Sequence, residues 1–459
     1  MKLDLGPAGP ATLIVMAATS FVTPFIGSAV NVAIPAIGRA FGGTAADLSW
    51  VVTGYLLTTA VALLPAGRLG DLVGRGNLFL IGLWSFVAAS LGCAVAGSLA
   101  WLITFRSLQG VAAAMLFATS MAILTTTYPV QKRGLVFGIN VTAVYLGGSL
   151  GPVLGGLLTE WLGWNSVFYF VAVLGACTGL LAKRGVPAAS RQKGKGYFDY
   201  VGAILNIGML SALIFGCSHL TDSPAAKWLI AAGVLLTGAF TLWELRQSQP
   251  LLEVRLFIRS RSFALSNLAA MIHYAATFGM GFLLSLRLQV GLGLSERLTG
   301  LVLLAQPVAM SLFAAYAGSL SDHIVPRILA SIGMAMTACG LLALAMAGMH
   351  AGLWLTAGIL FFIGIGFAFF SSPNNNAIMS SVPKDHLGAA SATLAAMRMT
   401  GMSFSMALSA AIISRESGGA ALQQVDPLLL EQGVRLALFL FAALCGIGTI
   451  ASLSRGGHK

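Results

Sequence analysis

Charge is what this chain has least of. Asp, Glu, Lys and Arg make up 9% of its 459 residues, against roughly 25% in an ordinary soluble domain. That shortage excludes a water-soluble fold. Only 14 residues are acidic, and they form no close cluster. The five cysteines, Cys93, Cys177, Cys217, Cys339 and Cys445, make no CxxC pair and have no histidine at metal-ligand spacing, so neither a disulfide framework nor a zinc site is expected. They read as small core hydrophobes. HExxH is absent, and the one GxSxG match, Gly147 to Gly151, lies inside a long apolar run rather than at a strand-to-helix turn, which argues against an intramembrane enzyme. No cofactor is expected.

What is present is apolar. Hydrophobic residues are 57% and mean hydropathy is +0.89, and crossing a bilayer takes about 20 apolar residues in a helix, because lipid leaves no partner for a bare backbone. An all-α integral membrane protein is expected. Fourteen such stretches stand out: 12–37, 48–69, 77–97, 99–127, 135–159, 164–182, 200–219, 227–243, 263–288, 298–320, 327–347, 352–376, 388–413 and 434–454. The first is longer than a signal-peptide core and lacks a clear cleavage site, so it reads as a retained helix.

Lys and Arg concentrate on one set of connections and the span ends beside them: eighteen of the 26 fall there, six toward the other side, and two, Arg106 and Arg398, deep within spans. By the positive-inside rule both termini are expected in the cytoplasm. The net charge of +12 therefore reflects topology rather than nucleic-acid binding. The longest connection, around Arg184 to Asp199, reads as a flexible linker lying on anionic lipid headgroups.

The chain also repeats itself. Gly67, Leu69, Asp71 and Gly82 recur as Gly318, Leu320, Asp322 and Gly333, and Pro129, Gly134 and Gly147 recur as Pro383, Gly388 and Gly401. Six spans need about 200 residues, so an offset near 250 leaves space for two more helices between the halves. The expected division is 1–184 for one six-helix bundle, 185–261 for a linker and two extra helices, and 262–459 for the second bundle. Parallel repeats of this kind are a transporter design, with the substrate near the midplane between the halves.

Here particular residues carry a family resemblance. Gly67-Arg68-Leu69-Gly70-Asp71-Leu72-Val73-Gly74-Arg75 resembles the helix 2–3 loop of the major facilitator superfamily, with Leu72 and Gly76 where that family usually has basic residues. Arg106-Ser107-Leu108-Gln109-Gly110 resembles its helix 4 motif, and Gly147-x-x-x-Gly151-Pro152-x-x-Gly155-Gly156 its antiporter motif in helix 5. Fourteen spans with that motif are similar to the fourteen-spanner drug:proton antiporters of bacteria. The resemblance implies a monomer in the bacterial inner membrane that exports a small organic compound in exchange for protons. An importer or uniporter of the same fold is the alternative. One departure bears on chemistry: Ile26 stands where the family's first helix commonly has aspartate. No carboxylate is expected at the membrane midplane, so the substrate is expected to be neutral or anionic rather than a lipophilic cation.

Candidate residues fall into four groups. Gly67, Arg68, Asp71, Gly74, Arg75 and Asp322 are expected at the inner gate, with Asp71 capping a neighbouring helix and pairing with Arg to fasten the halves. Gly147, Gly151, Pro152, Gly155 and Gly156 should let helix 5 pack closely and bend against its neighbour across the domain interface. Three basic groups lie within spans, where a charge costs about 2.5–3.5 kcal/mol on insertion scales. Arg106 is expected to bond carbonyls near the helix 5 motif. Arg398 either contacts substrate or joins helices, and His273 is either a core histidine or a proton carrier. Asn31, Tyr55, Asn140, Tyr145, Gln306, Asn374 and Asn375 are cavity candidates, each of which could instead join helices.

Overall fold

The computed structural model describes residues 9–454 except 193–195, 222, 322, 349–350 and 384–385. Asp322, both chain termini and the Lys193–Lys195 stretch lie outside the described residues.

Sixteen α-helices account for the architecture, and no strand occurs among the described residues beyond one isolated bridge, Thr44 to Ala421. In chain order they are α1 (Gly9–Phe41), α2 (Ala45–Val73), α3 (Arg75–Ala94), α4 (Leu99–Thr127), α5 (Val130–Leu162), α6 (Asn165–Gly185), α7 (Tyr200–Ser218), α8 (Ala225–Glu244), α9 (Val254–Arg259), α10 (Arg261–Leu286), α11 (Glu296–Leu303), α12 (Ala305–Leu320), α13 (Pro326–Ala347), α14 (Leu353–Ser380), α15 (Leu387–Glu416) and α16 (Pro427–Leu453). They build 14 helical segments long and apolar enough to cross a membrane. The even number returns the chain to the face from which it started, here termed the end face, as opposed to the far face.

Local signals set the helix ends. Thr44 and Asp47 form a capping box for α2, while Ser98, Asp199, Ser260, Ser295 and Asp426 accept from first-turn N–H groups, satisfying donors a helix start leaves bare. The stretch 298–320, read as one helix, is instead interrupted at Leu304. Pro307 explains it: it cannot donate an amide proton, and its ring crowds the carbonyl four residues earlier, that of Leu303.

Packing pairs α1 with α5 and α6, α2 with α4, and α3 with α4 and α6; in the second half α10 pairs with α15 and α16, α12 with α14, and α13 with α14 and α16. The pairing α1 with α5 is thus repeated by α10 with α15. Between the halves α2 lies on α15 and α5 on α11, and the α7–α8 hairpin sits with α7 against both α2 and α15. Large apolar side chains on the outside, such as Trp228, Leu235 and Trp354, form the surface expected to face lipid.

The connection after α6 is not the free linker its composition suggests. The turn Ala188–Arg191 docks where α2 meets α3: Asn77 Nδ2 donates to the Arg191 carbonyl at 3.1 Å. Gly74 makes the approach possible, because it has φ +94° and a Cβ there would lie 2.5 Å from the Arg191 oxygen. Further on, Arg68 donates from Nε to the Tyr197 carbonyl at 3.1 Å and also bonds Gln249.

Candidate functional site

The antiporter-type glycine motif points inward to its own half. A Cβ on Gly147 would strike the Phe21 carbonyl, one on Gly151 would strike Ser28 Oγ and lie 2.8 Å from the Phe25 carbonyl, and one on Gly155 would lie 2.8 Å from Ala29 Cα. These three residues, four apart, make one helix stripe, and that stripe seats α5 on α1. Only the next face meets the other half: a Cβ on Gly156 would lie 2.5 Å from the Glu296 carbonyl, and a Cβ on Gly300 of α11 would strike the Pro152 carbonyl. Most of the motif therefore packs within the first half, where the sequence suggested the interface between halves.

Around that contact the far face carries a series of bonds between halves. Arg39 pairs with Glu296, Glu160 Oε2 accepts from the Arg297 amide at 3.0 Å, and Gln289 Nε2 donates to the Val32 carbonyl at 2.8 Å. The Leu422 amide bonds the Gly43 carbonyl at 3.0 Å, and Gln423 Nε2 bonds that of Gly38 at 3.1 Å. At the end face, Asp71 Oδ1 accepts from Arg75 Nε at 2.9 Å, a pair within one half, four residues apart and well exposed. Arg68 is tied to the linker, and a Cβ on Gly67 would meet open space. Neither a helix cap nor a bond from Asp71 to the second half is present among the described residues.

Arg106 is completely buried. Its Nε donates to the Val51 carbonyl of α2 at 2.8 Å, Nη1 bonds Gln109, and its guanidinium lies 4.3 Å from the Tyr55 ring centroid. Gln109 passes the link to Ser90 at 2.7 Å. The carbonyl it holds thus belongs to α2, not to the region of the glycine motif, and Tyr55 is its cation–π partner. Asn140 also joins helices, accepting from Ser20 of α1 at 2.9 Å. Asn31 is buried in α1 with its Oδ1 unpartnered.

A second polar group gathers between the halves at mid-depth. Arg398 of α15 bonds Asn375 Oδ1 of α14 and lies 5.5 Å from the Tyr274 ring centroid of α10. Its Nε is buried without a partner, and it makes no ion pair among the described residues. Tyr145, from α5 of the opposite half, faces Ser371, Tyr274 and Arg398. Phe367 packs edge-on against Tyr274 at 5.3 Å. His273 is excluded from this space: it is fully buried against Phe370 and Phe367, at 4.1 and 4.9 Å, with neither ring nitrogen bonded. Asn374 bonds the Ser266 carbonyl at 3.2 Å, joining α14 to α10. Gln306 is half-buried, and its backbone, rather than its side chain, meets Gly364. An apolar groove of about 450 Å³ between α5 and α6, lined by Leu158, Leu162, Tyr169 and Phe170, holds none of these groups.

Tyr274 and Ser371 went unnoticed in the sequence because nothing there says which face of a helix meets another half. The pair of Arg287 and Glu431 was missed too. Arg287 reads as an outer connection residue, yet it lies in a π turn that extends α10, buried, with Nε donating to Glu431 Oε2 at 2.7 Å and a second bond to the other oxygen. The partners are 144 residues apart, and no local signal links them.

Two sets of apolar helices, paired in the same pattern and meeting around a polar mid-depth group, have the architecture of a solute carrier. The chain belongs to the Major Facilitator Superfamily, whose profile matches residues 16–254 and 266–456. It is 29% identical over 386 residues to the riboflavin transporter RibZ of Clostridioides difficile, covering 84% of each chain. Multidrug resistance protein Stp of Mycobacterium tuberculosis is 31% identical over 84% of this chain and 72% of its own length, and the tetracenomycin C resistance and export protein of Streptomyces glaucescens 30% over 83% and 71%. Among solved structures, a bacterial homolog of the human lysosomal transporter Spinster, inward-facing and unoccupied, superposes with a TM-score of 0.71 at 16% identity, covering 98% of this chain and 97% of that one.

Proposed function

We propose that this protein exports a small organic compound from a bacterial cell by alternating access, driven by proton entry, with the end face in the cytoplasm of the inner membrane. One observation carries the reading: the bonds between halves cluster at the far face, above a polar group contributed by both halves. That is the arrangement of a carrier shut outside. On this reading 1–184 and 262–459 are the moving bundles and 185–261 ties them. Asp71, Arg75 and Arg68 belong to the inner gate, with Asp322 as the repeat counterpart, and Gly156 and Gly300 form part of the outer one. The relatives named for multidrug resistance and for tetracenomycin export support the substrate class and the direction.

At the position of the missing first-helix aspartate, Ile26 is buried in the core. His273, adjacent to Tyr274, is the titratable group assigned to the coupled proton, and opening of its aromatic enclosure during the cycle is part of the proposal. The test is transport by purified protein in proteoliposomes. An acidic lumen should drive accumulation of a substrate, and nigericin should abolish it. Equal uptake with and without the gradient would favour the uniport alternative.

A further inference from the structure

We infer that the mid-depth group around Arg398 is a binding site for an aromatic organic anion, with a carboxylate, sulfonate or phenolate on the guanidinium and the ring system against Tyr274. The inference rests on the transport reading above and names the substrate class for it.

Arg398 has a neutral acceptor, Asn375, on one nitrogen and nothing on Nε. A guanidinium offers five donors in a planar fork matched to a carboxylate or sulfonate, and such charge-assisted bonds are the strongest available to it. Inside a membrane protein a cation is ordinarily paired, or it faces a cavity. Arg106 and Arg287 follow that rule in different ways. Arg106, although its Nη2 also has no partner, is sealed by a carbonyl, an amide and the Tyr55 ring in complete burial, and Arg287 has Glu431. Arg398 alone of the three is only half-buried and lies where both halves meet, so a counter-ion can come from a solute.

The neighbours select the rest of that solute. Tyr274 and Phe367 give an aromatic wall, and Tyr145 reaches in from the opposite half beside Ser371. A planar ring gains from such faces, and hydroxyls on both sides can bond its polar substituents. A permanent cation would instead meet Arg398 with no carboxylate to offset the repulsion.

The decisive measurement is equilibrium binding to the purified full chain in lipid nanodiscs, with empty nanodiscs subtracted. Naphthalene-2-carboxylate is compared with naphthalene-2-carboxamide, of the same shape without the charge, and with tetraphenylphosphonium. The carboxylate should bind saturably and at least tenfold more tightly than the amide. Arg398→Gln should erase that preference and Arg398→Lys, which keeps the charge, should retain part of it. The wild-type comparison needs no variant to fold. Absence of saturable carboxylate binding, an amide or phosphonium that binds as tightly, or an Arg398→Gln protein that keeps the tenfold preference would each overturn the assignment. Because binding is read without a gradient, it separates from coupling: a protein that discriminates as described yet shows no gradient-driven transport overturns the exchange reading and leaves this site standing. Proton-driven transport of tetraphenylphosphonium, unchanged in Arg398→Gln, does the reverse.

Discussion

Two buried arginines show how differently this chain handles charge. Arg287 has a true counter-ion in Glu431, buried with it and bonded twice. Removing one partner of such a pair strands the other, at a cost of about 3–5 kcal/mol, whereas replacing both with apolar residues is often neutral. Arg287→Met or Glu431→Leu alone should therefore lower the unfolding midpoint in detergent well below that of the double variant, and equal losses in all three would refute this account. Arg106 has only neutral partners. Embedding it costs about 2.5–3.5 kcal/mol, and each bond to a charged group returns about 1.5–3. Two such bonds, to Val51 and Gln109, return about 3–6 kcal/mol and so exceed the cost by no more than about 3.5. Arg106→Met should therefore still fold, destabilised by no more than about 3.5 kcal/mol, while transport falls at least tenfold, because Val51, Gln109 and Tyr55 lose the group that aligns α2 with α4. A variant that fails to fold would assign Arg106 to architecture alone.

At the scale of helices, the glycine stripe of α5 is a packing device first. Gly155→Ala would force a methyl to 2.8 Å from the Ala29 backbone, and overpacking of this kind costs about 1–3 kcal/mol. Gly67→Ala meets nothing within 4 Å. The first should reduce the midpoint measurably and the second should not, whatever either does to transport; matching melting curves for the two would show that α1 and α5 are not in close contact. Sequence reading reached part of this. Glycines four apart mark a face whichever helix lies across from it, so the motif was legible and its neighbour was not. The same limit applies elsewhere. Long apolar runs made the spans readable, and the 251-residue repeat made the plan readable. By contrast, the docking of Arg191 at Gly74 and the convergence of Tyr145, Tyr274 and Arg398 depend on distances between segments remote in sequence, whereas the break between α11 and α12 has a local cause in Pro307 that the apolar run concealed.

Over the whole molecule, the proposed orientation makes a simple demand. Reporter domains fused after Gln192 and after the last residue should both report cytoplasm, and opposite locations would require an odd number of crossings between them. The far-face contacts demand something subtler. Arg39 is 56% exposed at its side chain, so its pair with Glu296 is worth about 0.2–1 kcal/mol at most. No single bond of that size holds a carrier shut. Closure must be shared with Glu160, which accepts the Arg297 amide, and with the backbone link from Gly43 to Leu422. Ser149 and Ser311, 3.5 Å apart between α5 and α12, lie deeper and offer a sensor. With the native cysteines replaced, Ser149→Cys should react slowly with an impermeant maleimide added outside intact cells. Glu296→Gln should speed that reaction no more than about fivefold, the factor corresponding to roughly 1 kcal/mol. Glu160→Ala combined with Glu296→Gln should exceed either change alone, since the first removes the acceptor of the Arg297 amide and the second the charge that pairs with Arg39. If the double variant labels no faster than wild type, the far-face bonds are not what keeps the outside closed, and the glycine and backbone contacts between α5 and α11 carry it instead.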